Sequence, residues 1–138
     1  MLGFTTQLIN TIIGVILGIT AGYFGGKIDS LIMSLTNVML SIPALILGLT
    51  IMAVLGPGLI NIFIALGFTL WTYTCRLSRA QTMVIKNKEF VKAAEAMGAS
   101  RLRIAVKHIV PQIMGPVLVI ATFGAASAIL LEASLSFL

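Results

Sequence analysis

LINTIIGVILGITAGYF, residues 8–24, carries no charged side chain from end to end. At a rise of about 1.5 Å per residue it comes close to the ~20 residues that cross a ~30 Å hydrocarbon core. It therefore predicts a transmembrane helix, because a chain of 138 residues has too small an interior to hide several such runs from water. Gly14, Gly18 and Gly22 form a GxxxGxxxG pattern within it. Three positions without side chains on one helix face let another backbone approach closely; alternatively, the glycines reflect only their general abundance in membrane helices.

The remaining composition points the same way. Hydrophobic residues make up 59% of the chain and charged residues 9%, against about 45–50% and about 25% in soluble domains, so lipid is the expected solvent. Of the nine Lys and Arg residues, eight lie between Arg76 and Lys107, with Glu89 and Glu95 as the acids among them, and the ninth is Lys27. Bases clustered beside apolar spans follow the positive-inside bias. Nucleic acid is not an expected partner, since aromatic residues are not interleaved with these bases. The single cysteine, Cys75, excludes an internal disulfide and a CxxC metal site. The opening MLGFTTQLIN has neither a basic leader nor a small-residue cleavage site, so no removable signal peptide is expected.

Outward from the first span, Gly25, Gly26, Lys27 and Asp29 make a polar break, and a second span is expected over residues 31–55. Pro43 in its middle frees a backbone carbonyl and kinks the helix; the kink either lines a pathway or serves packing. After the uncharged turn LGPG at 55–58 a third span is expected over 59–75, with Trp71 and Tyr73 at its interfacial end. The charged loop 76–108 leads to a fourth span over 111–138. The expected fold is an all-α membrane protein, a polytopic helical bundle of about four transmembrane helices forming one partial transmembrane domain over 1–138. Its orientation puts Lys27, Asp29 and the basic loop inside and Gly56 to Gly58 outside. The fourth span reaches Leu138 without a polar flank, and the first begins close to Met1, which reads as an internal piece of a longer chain.

In the loop, EFVKAAEAMGASRLRIAVKHIVP occupies residues 89–111. Phe90, Ala93, Ala94 and Met97 recur at helical spacing while Lys88, Glu89, Lys92 and Glu95 fall on other faces, predicting a short amphipathic helix. Gly98 suits the left-handed residue that ends a helix. Ser100 suits the N-cap of a second short helix over 101–108, with Leu102, Ala105, Val106 and Ile109 on its apolar side. Pro111 limits this helix or opens the next span. Periodicity leaves two readings open, a solvated loop whose bases snorkel toward anionic headgroups or a docking helix.

VKAAEAMGAS followed by HIVP resembles the EAA motif of ABC-transporter permeases, whose pattern is Glu-Ala-Ala, three residues, Gly, and an apolar-Pro ending about a dozen residues later. Ala93, Ala94, Gly98 and Pro111 fall in register. AGYFGGKID at 21–29, LGPG at 55–58 and EASLSFL at 132–138 are similar to the inner-membrane subunits of the dipeptide, oligopeptide and nickel importer branch. The resemblance implies a multi-pass permease subunit of the inner (plasma) membrane, forming part of an ATP-driven pathway for peptides or a related small solute. The implied partners are a second permease subunit, cytoplasmic ATPase subunits, an extracytoplasmic substrate-binding protein and membrane lipid. It also implies that the loop is a coupling helix inserted into the ATPase. Ala93 and Ala94 would then allow close approach, Phe90 and Met97 would anchor, Lys92 and Glu95 would make polar contacts, and Gly98 would make the turn. Lys92 departs from the pattern, which usually has Glu there. Members of this branch usually have six spans, of which this chain corresponds to the second through fifth.

No HExxH and no GxxxxGK[ST] phosphate loop occurs, so the chain is not expected to be an enzyme, and ATP hydrolysis would fall to a separate subunit. No catalytic residue, cofactor or metal site is expected; His108, the single histidine, lacks companion ligands. Glu132 is the one acid deep in an apolar stretch. It either lines the pathway, lies near the outer interface, or is protonated within the bundle. The alternative to the permease is a secondary transporter or channel subunit with a lipid-binding basic loop, and a third option is a membrane scaffold without transport.

Overall fold

The computed structural model describes residues 2–56, 58, 60, 61, 64, 67 and 69–137, with the side chains at 2, 3, 131, 132 and 135–137 excluded. No strand occurs among the described residues. Helix α1 spans Leu2–Phe24, α2 Gly26–Ser41, α3 Ala44–Leu55, α4 Trp71–Ile85 and α5 Glu89–Ala96. A last helix starts as α6, Arg101–Ile104, passes through a π-helical turn, Ala105–Ile109, and continues as α7, Val110–Phe137. By length and apolar composition, Phe4–Phe24 and Arg101–Leu130 each suffice to cross a membrane, and α2 with α3 makes a third span if the bent pair crosses as one.

The pairing of α1 with α4 dominates the packing. A β-carbon placed on Gly14 would lie 2.7 Å from Thr74 Cβ, one on Gly18 2.6 Å from Ser78 Cβ, and one on Gly22 2.8 Å from Thr82 Cβ. The glycine repeat of α1 thus runs along a second repeat of small residues at the same four-residue interval on α4. All three hydroxyl-bearing residues of that repeat are fully buried. Helix α7 packs across both, and α2 leans on α1 and α4.

Three boundaries differ from those expected. The expected span 31–55 is not one kinked helix but two, bent by 79°. Proline disfavours the α conformation at the residue before it; here Ile42 is extended (φ −98°, ψ 120°) and Pro43 becomes the residue that starts α3. At the far end of α3, Asn61 Nδ2 donates to the Leu55 and Gly56 carbonyls at 3.0 and 2.7 Å, satisfying exposed helix-terminal acceptors. The expected third span, 59–75, has six of its 17 residues outside the described residues. Its last turn belongs to α4, which continues to Ile85 because no glycine or proline interrupts 71–85, and this takes Arg76 and Arg79 out of the expected loop.

The third difference lies at the other end of the loop. The final helix does not start near Pro111 but runs unbroken from Arg101. Val110 N–H donates to the Ala105 carbonyl, five residues back, and this wide turn comes immediately before Pro111, which has no N–H to offer. The buried stripe follows the wide turn. Ile104, Ile109, Ile113 and Val117 are all fully buried, at intervals of five, four and four residues. Leu102 and Val106, expected on the apolar side, are instead 75% and 57% exposed.

A candidate docking loop and its anchorage

Helix α5 is the element on which the expected partner contacts fall, and its burial divides it sharply. Val91 and Ala94 are buried against Ile85, Ile104 and Ile109 in a cluster that continues to Ile19, Ile113 and Val117. Phe90, Ala93 and Met97, at intervals of three and four, lie on the outward side, Met97 at 82% exposure. This corrects one residue of the expected face, Ala94. Ala94 belongs to the chain's own core, three residues after Val91, which the periodicity passed over and which shares the inward position.

Both ends of the break after α5 have defined chemistry. Gly98 takes φ 81°; its N–H reaches the Glu95 carbonyl at 2.9 Å, and the Ala99 N–H reaches the Ala94 carbonyl at 3.0 Å. These bonds satisfy the last carbonyls of α5 in a left-handed cap. Ser100 then starts α6, its Oγ accepting from the Arg103 N–H at 3.3 Å.

Side chains tie the loop to the end of α1, and α2 to α4. Tyr23 donates its hydroxyl to Glu95 Oε1 at 3.0 Å, and the Arg101 guanidinium lies 5.7 Å from the centre of the Phe24 ring. Lys86 Nζ donates to the Gly22 carbonyl at 2.8 Å. The rings of Phe90 and His108 are 6.1 Å apart, so His108 braces α5. Arg79 clasps Asp29 through both carboxylate oxygens, its Nη2 lying 2.6 Å from Oδ2, and Arg76 donates to Asn37 Oδ1. The polar break after α1 and the basic loop therefore share one end of the molecule. Among the described residues no three His, Cys, Asp or Glu side chains gather as a metal site.

The other candidate residues lie elsewhere. Gly14, Gly18 and Gly22 form the α1–α4 seam. Pro43 is exposed at the α2–α3 break, while its neighbour Ala44 borders a cavity of about 300 Å³ between α1, α3, α4 and α7. Gln7, Thr69, Tyr73, Thr74 and Ser127 give that cavity neutral polar groups. Apart from Tyr73, named only as an interfacial marker, sequence reasoning passed over them because they are far apart in the chain and share no local pattern. Glu132 falls on α7, and its side chain lies outside the described residues.

The seam, the break and the anchored loop all fall within residues 14–138, the region matched by the profile of the family described as binding-protein-dependent transport system inner membrane component. The chain belongs to this family. It is a permease-family membrane protein, 41% identical over 136 residues to the dipeptide transport system permease protein DppC of Bacillus subtilis (strain 168). It is 38% identical over 138 residues to the oligopeptide transport system permease protein OppC of Haemophilus influenzae. The di/tripeptide transport system permease protein DppC of Pseudomonas aeruginosa (strain UCBPP-PA14) is 39% identical over 138 residues. These matches take in 99%, 100% and 100% of the chain but 42%, 44% and 46% of the respective permeases, so the chain spans less than half their length.

Proposed function

We propose that this chain is part of the permease subunit of an ATP-driven peptide importer, multi-pass in the plasma membrane, and that α5 docks on a separate cytoplasmic ATPase. The observation that carries the docking role is the division of α5. Phe90, Ala93 and Met97 face outward on a helix fixed from behind by Val91 and Ala94, at the end where the bases gather. A small alanine between two large apolar groups is what an apolar groove on a partner accepts. Because α6, the π turn and α7 are continuous, a push on α5 passes into a full-length span, and through Tyr23 and Glu95 into α1. Rigid elements linked in this way convert partner closure into movement of the spans.

Peptides are the cargo class because relatives along the whole chain are named for dipeptide and oligopeptide transport. The complete assembly would add a second permease subunit, an extracytoplasmic binding protein and the ATPase pair. The neutral cavity beside Gln7 and Thr74 is the part of a pathway that this chain contributes. The test uses the full chain with its ATPase. Met97→Glu and Ala93→Glu, both at exposed positions, should abolish co-purification of the ATPase and ATP-driven peptide uptake while helicity is unchanged. Undiminished association would remove the docking role. Uptake that continues without the ATPase and follows an ion gradient would replace the importer with a secondary transporter.

A further inference from the structure

Two depressions of different character meet at Tyr23, Phe24 and Arg101. One, of about 340 Å³, is polar, and Lys86, Lys92 and Arg101 line it with Glu95 as its one acid. The other, of about 450 Å³, is an apolar groove between α1 and the helix that runs from α6 into α7, passing over Ile16, Ile19, Leu102 and Val106. The acid is already engaged by the Tyr23 hydroxyl. Neither Lys92 nor Arg101 has a salt-bridge partner among the described residues. The polar depression therefore holds more positive charge than its own carboxylate balances, and it opens onto a groove whose walls are left bare by the π turn.

We propose that the two depressions form one site for an anionic phospholipid of the cytoplasmic leaflet, with the phosphate among Lys86, Lys92 and Arg101 and an acyl chain along the groove. The occupant follows from the juxtaposition. A free phosphate would use the basic part alone, and an apolar helix would use the groove alone. Only a molecule that joins an anion to a hydrocarbon chain fills both, and the junction lies at Arg101, where headgroup meets hydrocarbon in a bilayer. Leu102 and Val106, at 75% and 57% exposure, supply the apolar wall. Lys92 thereby acquires a role that docking alone does not give it, because a glutamate at this position would leave two bases facing two acids. The proposal stands apart from the docking role, since the lipid contacts the side of α5 that carries Lys92 and Glu95 and not the side that carries Phe90 and Met97.

Native mass spectrometry of the full chain in detergent, titrated with phosphatidylglycerol or phosphatidylcholine and with no ATPase present, tests this directly. Phosphatidylglycerol should be retained in preference. Lys92→Gln should weaken it about fivefold, the effect of removing one surface cation. Val106→Trp, which fills the groove without touching the charge, should weaken it as well, and both variants should keep wild-type helicity. Inorganic phosphate in excess should not displace the lipid. Equal retention of the two lipids, or full retention by Lys92→Gln, would overturn the site. Displacement by inorganic phosphate, or indifference to Val106→Trp, would reduce it to an anion pocket and overturn the lipid assignment. A longer form of the protein that binds no phosphatidylglycerol would show that another helix covers the groove, and the lipid assignment would fall in that case too.

Discussion

At Gly18 the α1–α4 seam has no room for a methyl group. A β-carbon there would stand 2.5 Å from the Cys75 carbonyl oxygen and 2.6 Å from Ser78 Cβ, and a backbone oxygen cannot swing aside as a side chain can. Gly18→Ala should therefore cost about 1–3 kcal/mol, the usual range for overpacking a well-filled contact, measured as a lowered unfolding midpoint in detergent. Gly67→Ala is the control, because Gly67 has helical backbone with nothing within 4 Å of its would-be β-carbon and no proline after it; it should be neutral or slightly stabilising. Equal effects at the two positions would mean that the seam is not close-packed. The four-residue glycine spacing was legible in the sequence because it is local. Its partner was not, since Thr74, Ser78 and Thr82 read as ordinary polar residues until α4 is laid against α1. The same limit applies at α5, where local spacing located Gly98 and Ser100 as the break but grouped the buried Ala94 with the outward residues and passed over Val91.

Among the elements, the helix from Arg101 to Phe137 shows how a period can mislead. Reading 101–109 with an α period places Leu102 and Val106 with Ile109, whereas the wide turn between Ile104 and Ile109 inserts one residue and swings them outward. Deleting Val106 would bring Ile104 to four residues from the next isoleucine and keep the buried stripe 104, 109, 113, 117 on one face. Inserting an alanine after Val106 would rotate Ile104 by about a further 100° off that stripe. The deletion should thus be the milder change, and the insertion should release α5. Protease cleavage near Lys92 would report the difference, with equal sensitivity counting against the π turn as a register device. Helix α2 is held differently. Asp29 and Asn37, eight positions apart on one face, meet Arg79 and Arg76 of α4, contacts that join positions too far apart in sequence to be paired by inspection. Asp29→Asn should loosen the start of α2 and speed tryptic cleavage at Lys27 several-fold, while Lys27→Gln in the same background should abolish that cut.

For the whole molecule, the lopsided distribution of bases was the most legible feature, and the structure gives it a geometric counterpart. The Asp29–Arg79 clasp, the Lys86 bond to Gly22 and the Tyr23–Glu95 bond bring the ends of α1 and α4, the start of α2 and the loop together. Carrying even one Lys or Arg through the bilayer centre costs about 2.5–3.5 kcal/mol, so the bases of this end stay together on one side, and the positive-inside bias leads to the expectation that this side is the cytoplasm. What charge does not decide is where α3 leads. At about 1.5 Å per residue, the 16 residues of α2 and the 12 of α3 extend ~24 Å and ~18 Å, each short of a ~30 Å core. They cross only together, and a 79° bend leaves the alternative of a hairpin that returns to the side it left. Cysteines at Lys27, Gly58 and Met97, all exposed, separate the two, with Cys75 silent because it is fully buried. A membrane-impermeant maleimide added outside intact cells should label Gly58→Cys at once and reach Lys27→Cys and Met97→Cys only after the membrane is opened. If all three wait for permeabilisation, α2 and α3 form a re-entrant pair. The next segment would then begin on the cytoplasmic side, so α4 could return its arginines there only as part of a second hairpin.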